Sequence, residues 1–110
     1  MSTGYNGLPQ GVHDHEERLQ RPAKYELTCH AELNAILTCA RHGASPEGCS
    51  VFTTFSPCVA CSLAIIQAGL REVVCYDVES GGDAAWMDSI AKARTLFGEA
   101  GVAYVTYARE

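Results

Sequence analysis

The sequence predicts one α/β domain over residues 1–110, and three observations carry that expectation. Segments with apolar residues at helical spacing alternate with short segments rich in β-branched and aromatic side chains. Ser, Thr, Asp or Pro stands where each helix would begin, and glycine stands where the first two would end. A helical segment also separates the last two strand-like segments, so a right-handed crossover should leave those strands parallel, in a sheet covered by helices. With 47% apolar and 19% charged residues the chain has enough hydrophobic surface to offset the entropy of folding, though 110 residues allow only a modest core.

Residues 1–28 are the least regular part. Gly4, Gly7, Pro9 and Gly11 punctuate the start, and the polar run from His13 to Tyr25 keeps no period, which reads as a loop. Thr28 is placed to cap a first helix from about His30 to His42, in which Leu33, Ile36, Leu37 and Ala40 recur at helical spacing before Gly43. The turn Ser45-Pro46-Glu47-Gly48 leads into Cys49–Thr54, whose composition suits a buried strand. Ser56, a good N-cap, and Pro57, favoured at the first helical position, open a second helix that Gly69 closes. Val73–Tyr76 reads as a second strand. Asp83 is placed to cap a third helix carrying Trp86, Ile90, Ala93 and Phe97 on one core-facing side, and Val102–Tyr107 reads as a third strand.

Composition narrows the functional classes. No stretch approaches the roughly 20 apolar residues of a membrane crossing, and no basic segment with an apolar run opens the chain, so a cytoplasmic protein is expected. Thirteen acidic against eight basic residues, a net charge of −5, speak against tracking a polynucleotide backbone. In a reducing compartment the six cysteines are thiols open to metal binding or catalysis rather than disulfide partners.

Two clusters carry chemistry: His30-Ala31-Glu32 and Pro57-Cys58-Val59-Ala60-Cys61, each at the start of a predicted helix. Cys58 and Cys61 are three positions apart, so on a helix both thiols share one face and can bind one ion. Backbone N–H groups and the dipole at that end favour the thiolate form. One imidazole and two thiolates leave the fourth position of a tetrahedral Zn²⁺ open to water, as in catalytic rather than structural sites. Glu32 is then placed to shuttle protons without ligating the metal. His-x-Glu followed by Pro-Cys-x-x-Cys is the known signature of zinc nucleobase deaminases.

The chain resembles the cytidine and deoxycytidylate deaminase superfamily and, within it, the deoxycytidylate deaminases. The resemblance runs through Gly4-Tyr5-Asn6-Gly7-Leu8-Pro9-Gln10-Gly11, Lys24-Tyr25 and Cys29-His30-Ala31-Glu32-Leu33-Asn34-Ala35-Ile36. It continues through Thr53 to Cys61, Ile65-Ile66-Gln67-Ala68-Gly69 and Val73-Val74. It implies a cytidine-deaminase-like three-layer α/β/α fold with a mixed sheet whose last strands are parallel. Zn²⁺ would be held by His30, Cys58 and Cys61, with Glu32 as general acid and base. Asn6 resembles the family asparagine that reaches the nucleoside, the Ala31 backbone resembles the contact to the base carbonyl, and Ser56 falls among the substrate-contacting positions. The implied reaction is protonation of N3, attack of a zinc-activated water at C4 and loss of ammonia, converting dCMP to dUMP. A homo-oligomer is implied as well, and regulation by dCTP and dTTP, known in many deoxycytidylate deaminases, is left open. Relatives carry a helix and a first hairpin before the Gly-Tyr-Asn-Gly turn. The edge of the first strand is therefore expected to be covered by residues 1–28, by a neighbouring subunit, or by residues lost from the start.

Other readings stand beside these. Tyr5 either flanks the pocket or simply covers the core. Arg18, Arg21 and Lys24 include a phosphate contact, Lys24 being the one singled out, or are scattered solvated charges. His13, His15 and His42 read as solvated, and Cys29, Cys39, Cys49 and Cys75 as small buried apolar groups, with a second zinc on Cys29 and His13 or His15 as the alternative. Two rival functions are a tRNA or single-stranded DNA base deaminase, disfavoured by the charge and by the lack of interleaved aromatic and basic residues, and a zinc-binding remnant without activity.

Overall fold

The computed structural model describes residues 2–4, 6–13, 15–19, 29–77 and 84–108. After a 3-10 turn at Glu16–Leu19 come α1 (Ala31–Arg41), β1 (Ser50–Phe52), α2 (Val59–Gln67), β2 (Glu72–Tyr76), α3 (Ala84–Ala100) and β3 (Ala103–Tyr107). The order is the one the sequence predicts, and the α/β class holds.

The three helices end alike. Glycines 43, 69 and 101 follow them in the left-handed region at φ 74°, 84° and 77°, a conformation that an L side chain rarely adopts. Each glycine N–H bonds back three residues, and the next N–H bonds back five: Ala44 to Cys39 at 2.9 Å, Leu70 to Ile65 at 3.2 Å, Val102 to Phe97 at 2.9 Å. These are Schellman caps, which satisfy the last carbonyls and turn the chain out of the helix. In the second and third cases the residue after the glycine, Leu70 or Val102, enters the core just before a strand starts.

The strands lie in the order β1-β2-β3, all parallel, with Val51 opposite Val73 and Val73 opposite Tyr104. Here the structure departs from the expected mixed sheet. Among the described residues a helix fills each connection between consecutive strands, which forces parallel pairing, and antiparallel pairing is confined to the single bridge Gly7–Cys29. Ile65, Leu70, Val73, Ala93, Phe97 and Val102 form the core, joined by Ile36, Val51 and Tyr104, so α2 and α3 cover the sheet face that carries Val51, Val73 and Tyr104. Side chains alternate along a strand, and the opposite face carries Phe52, Tyr76 and Tyr107, all exposed. The expectation of a buried first strand therefore fails for Phe52, which is 74% exposed because it points away from the helices. Cys49, read as buried, is exposed as well, since it lies in the turn before this edge strand; Cys75 is buried. Nothing among the described residues pairs with the outer edge of β1.

Candidate metal centre

The site forms beyond the carboxyl end of β1, where the chain passes through Thr53–Pro57 into α2, the usual location of ligand sites in parallel α/β sheets. His30 is the N-cap residue of α1 and Cys58 that of α2, both with extended backbone, and neither side chain makes a capping hydrogen bond. Both are turned to another use. Packing of α1 on α2 brings His30 Nδ1 to 3.5 Å from Cys58 Sγ and 3.4 Å from Cys61 Sγ. Zn–N and Zn–S bonds meeting at the tetrahedral angle would separate nitrogen and sulfur by about 3.5 Å. The three ligand atoms lie within 4.8 Å of one another, and this is the only group of three or more possible metal ligands among the described residues.

Glu32 sits in the first turn of α1, half-buried, and its Oε1 accepts a hydrogen bond from Thr53 Oγ1 at 3.3 Å. The Thr53 N–H in turn donates to the Val74 carbonyl at 2.9 Å, so the hydroxyl stands on backbone fixed by β2. Burial pushes the Cys61 thiol well above its usual range, and the neighbouring Cys58 and Glu32 push it further the same way. One imidazole and two thiols turned toward one point are the nitrogen and sulfur donors that a zinc-like divalent ion takes, so the donor set as well as the spacing fits a divalent metal.

The first N–H groups of the two helices find acceptors far away in the chain. Ala31 N–H donates to Asn6 Oδ1 at 2.7 Å, from 25 positions earlier, and Val59 N–H donates to Ser89 Oγ of α3 at 3.0 Å, from 30 positions later. The expected cap Thr28 lies outside the described residues, and the cap position belongs to His30. Asn6 is held in place by paired backbone bonds between Gly7 and Cys29, at 3.2 and 2.7 Å, and by the Ser2 hydroxyl on the Ala35 carbonyl at 2.8 Å. Between them Gly4 lies so close to α1 that a Cβ there would overlap Ala31 O and Ala35 N.

Ser56 does not cap α2. It is buried, with its hydroxyl 2.7 Å from the Tyr104 hydroxyl, and α2 starts two residues after Pro57. Tyr104 also accepts from the Cys75 thiol at 3.6 Å, stacks on Phe97 and carries the Arg94 guanidinium 5.0 Å above its ring. Tyr5, Arg21, Lys24 and Asp83 lie outside the described residues, as does the side chain of Arg18. His13, His15 and His42 are exposed. Sequence reasoning brought together His30, Glu32, Cys58 and Cys61 but missed Thr53, Ser89 and Tyr104, whose roles come from contacts 21, 30 and 48 positions apart.

The family model for the cytidine and deoxycytidylate deaminase zinc-binding region matches residues 1–77. The deoxycytidylate deaminase of Homo sapiens is 38% identical over 110 residues, covering 94% of this chain and 58% of that protein. The "Uncharacterized deaminase in luxG 3'region" of Aliivibrio fischeri is 38% identical over 102 residues, covering 93% of this chain and 67% of that one. Among solved structures, dCMP deaminase from the cyanophage S-TIM5 superposes with a TM-score of 0.70 at 27% identity in apo form, over 97% of this chain and 71% of that chain. In complex with dCMP and dUMP it gives 0.68 at 29% identity, over 94% and 70%. The chain spans 58% of the length of the human, orangutan and mouse deoxycytidylate deaminases that it matches.

Proposed function

Because the chain belongs to the family defined by the cytidine and deoxycytidylate deaminase zinc-binding region, we propose that it is a single deaminase domain, residues 1–110, that converts dCMP and water to dUMP and ammonia. The observation that carries this reading is the spacing of His30 Nδ1 at 3.5 and 3.4 Å from the two cysteine sulfurs, with the Glu32 carboxylate alongside. The substrate is read from the relatives, two of which are a human deoxycytidylate deaminase and a phage enzyme solved with dCMP and dUMP.

His30, Cys58 and Cys61 would hold the ion, and zinc bound there supplies Lewis acidity that activates water near neutral pH. Glu32 would take one proton of the attacking water and deliver it to N3 of the cytosine, then carry the second proton of the same water to the amino group; C4 exchanges its bond to the exocyclic nitrogen for a bond to the water oxygen, and ammonia leaves. Thr53 holds Oε1 of this carboxylate and so orients the group for the transfers. The Ala31 backbone is the proposed contact to the base carbonyl, and Asn6, whose Oδ1 accepts from the Ala31 N–H at 2.7 Å, would reach the nucleoside with the amide nitrogen of the same side chain. Ser56 contributes through its backbone, because its hydroxyl is committed to Tyr104. Tyr5 and Lys24, which lie outside the described residues, are proposed from the sequence alone to flank the pocket and to meet the phosphate.

The six cysteines are free thiols, which supports a cytoplasmic setting, and no helix of the described residues is long and apolar enough to cross a membrane. The exposed face of Phe52, Tyr76 and Tyr107, beside a cavity of about 470 Å³ that they help to line, supports assembly with further copies of the chain. The net charge of −5 supports a free nucleotide over a polynucleotide as substrate. Incubating zinc-loaded protein with dCMP, cytidine and deoxycytidine tests the reading: ammonia should appear with dCMP and vanish after chelation, and release from none of the three would overturn it. Thermal shift with dCMP, dCTP and dTTP tests regulation in the same samples.

A further inference from the structure

A helix leaves its first N–H groups without partners, and the N-cap side chain ordinarily accepts from one of them. In this chain the N-cap residues of both metal-facing helices are His30 and Cys58, whose side chains converge on each other and on Cys61 instead. The same solution recurs at both ends. An oxygen from a separate element takes the N–H directly after the ligand: Asn6 Oδ1 on Ala31 at 2.7 Å, and Ser89 Oγ on Val59 at 3.0 Å. Each acceptor is itself anchored, Asn6 by the Gly7–Cys29 bridge and by Gly4 lying flat on α1, Ser89 by its place in α3 one residue before the buried Ile90.

We infer that Asn6 and Ser89 are positioning residues of the metal centre, each supplying from elsewhere in the chain the helix cap that a ligand residue cannot make for itself. Without the cap, the first turn of α1 or α2 is free to fray, and fraying there moves His30 or Cys58 out of tetrahedral reach. Metal ligands are held in orientation by the groups behind them, and loss of such a group typically weakens metal affinity about ten- to a hundredfold. Here the support acts through a backbone N–H one residue away rather than through the ligand side chain. The inference rests on the reading of His30, Cys58 and Cys61 as zinc ligands.

Pairs of substitutions matched in shape, one keeping and one losing the acceptor oxygen, test it on the full chain, the uncharged Ser89 pair being free of any change in charge. Ser89→Thr keeps the hydroxyl and Ser89→Val removes it; Asn6→Asp keeps the oxygen and Asn6→Leu removes it. Zinc affinity is read by competition with a chromophoric chelator at a temperature where circular dichroism shows every variant folded, and Co²⁺ absorption reports the ligand geometry. The Val and Leu variants should hold zinc about tenfold more weakly than their Thr and Asp counterparts, with a diminished thiolate-to-cobalt band. Equal zinc affinity within each pair, even with lowered melting temperatures, would reduce both residues to general stability and overturn the inference. A wild-type chain that binds no zinc would overturn the ligand reading itself, and the inference with it.

Discussion

At the scale of single residues, Glu32 shows how a tertiary contact refines a side chain that a motif already marks. Its place two positions after His30 sets it at the first turn of α1, whereas its orientation comes from Thr53, which the sequence places in a strand and in the run of family resemblance without giving it a role of its own. Thr53 is β-branched and backbone-bonded to β2, so its hydroxyl has little freedom, and a carboxylate tied to it is held in a defined orientation. Replacing the carboxylate by an amide keeps the shape and removes the proton carrier of the proposed reaction. Glu32→Gln should therefore lower turnover of dCMP by about 10²- to 10⁴-fold, checked by ammonia release, while one equivalent of zinc is retained in metal analysis.

At the scale of elements, helix ends and strand ends decide more than helix middles. The glycine stops were legible because a left-handed residue has one favoured occupant, and Gly43 and Gly69 close their helices where the sequence placed them. The starts were not. Ser56 and Thr28 are good caps by type, but a cap is chosen by which acceptor reaches the N–H, and here that acceptor comes from Asn6 or Ser89. Ser56 instead ties the entry of α2 to β3 through Tyr104. Burial raises the Tyr104 phenol above its ordinary range, the Ser56 bond opposing that rise and Cys75 adding to it. A raised phenol pKa means that the folded state prefers the neutral ring, so this stabilisation is complete below about pH 10 and is lost as pH rises beyond it. Tyr104→Phe should thus cost about 1–3 kcal/mol at neutral pH by leaving Ser56 buried without its partner, and urea titrations above pH 10 should show the gap to wild type narrowing.

At the scale of the whole molecule, the core lies on one side of a three-stranded sheet, and this asymmetry shapes what each strand can tolerate. Phe97 is fully buried between α2, β2 and β3, with its ring 6.0 Å from that of Tyr104, so it stabilises both the helical layer and the strand that closes the sheet. Phe97→Ala should destabilise by about 3–5 kcal/mol in urea denaturation, a large part of the stability of a domain this small. Phe52 and Tyr107 are 74% and 60% exposed on the other face, where truncation creates no cavity. The parallel order also explains why the site lies at one end of the sheet: all three strands point their carboxyl ends the same way, and the loop after β1 carries Thr53 and Ser56 to the start of α2.

The sequence by itself determined the order of the elements, the alternation that makes the sheet parallel, the glycine stops and the two clusters in which His30, Glu32, Cys58 and Cys61 stand. All of these rest on local spacing or on a residue type with one physical use. Only the tertiary structure decided that His30 and Cys58 take the cap positions themselves, that Asn6 and Ser89 stand in for them, and that Thr53 holds Glu32. It also decided that Phe52 faces outward, against the expectation of a buried strand. Each of these is a choice among partners at least 20 positions apart, or between two faces of a strand. No local pattern encodes such choices, because they depend on which surfaces packing brings together.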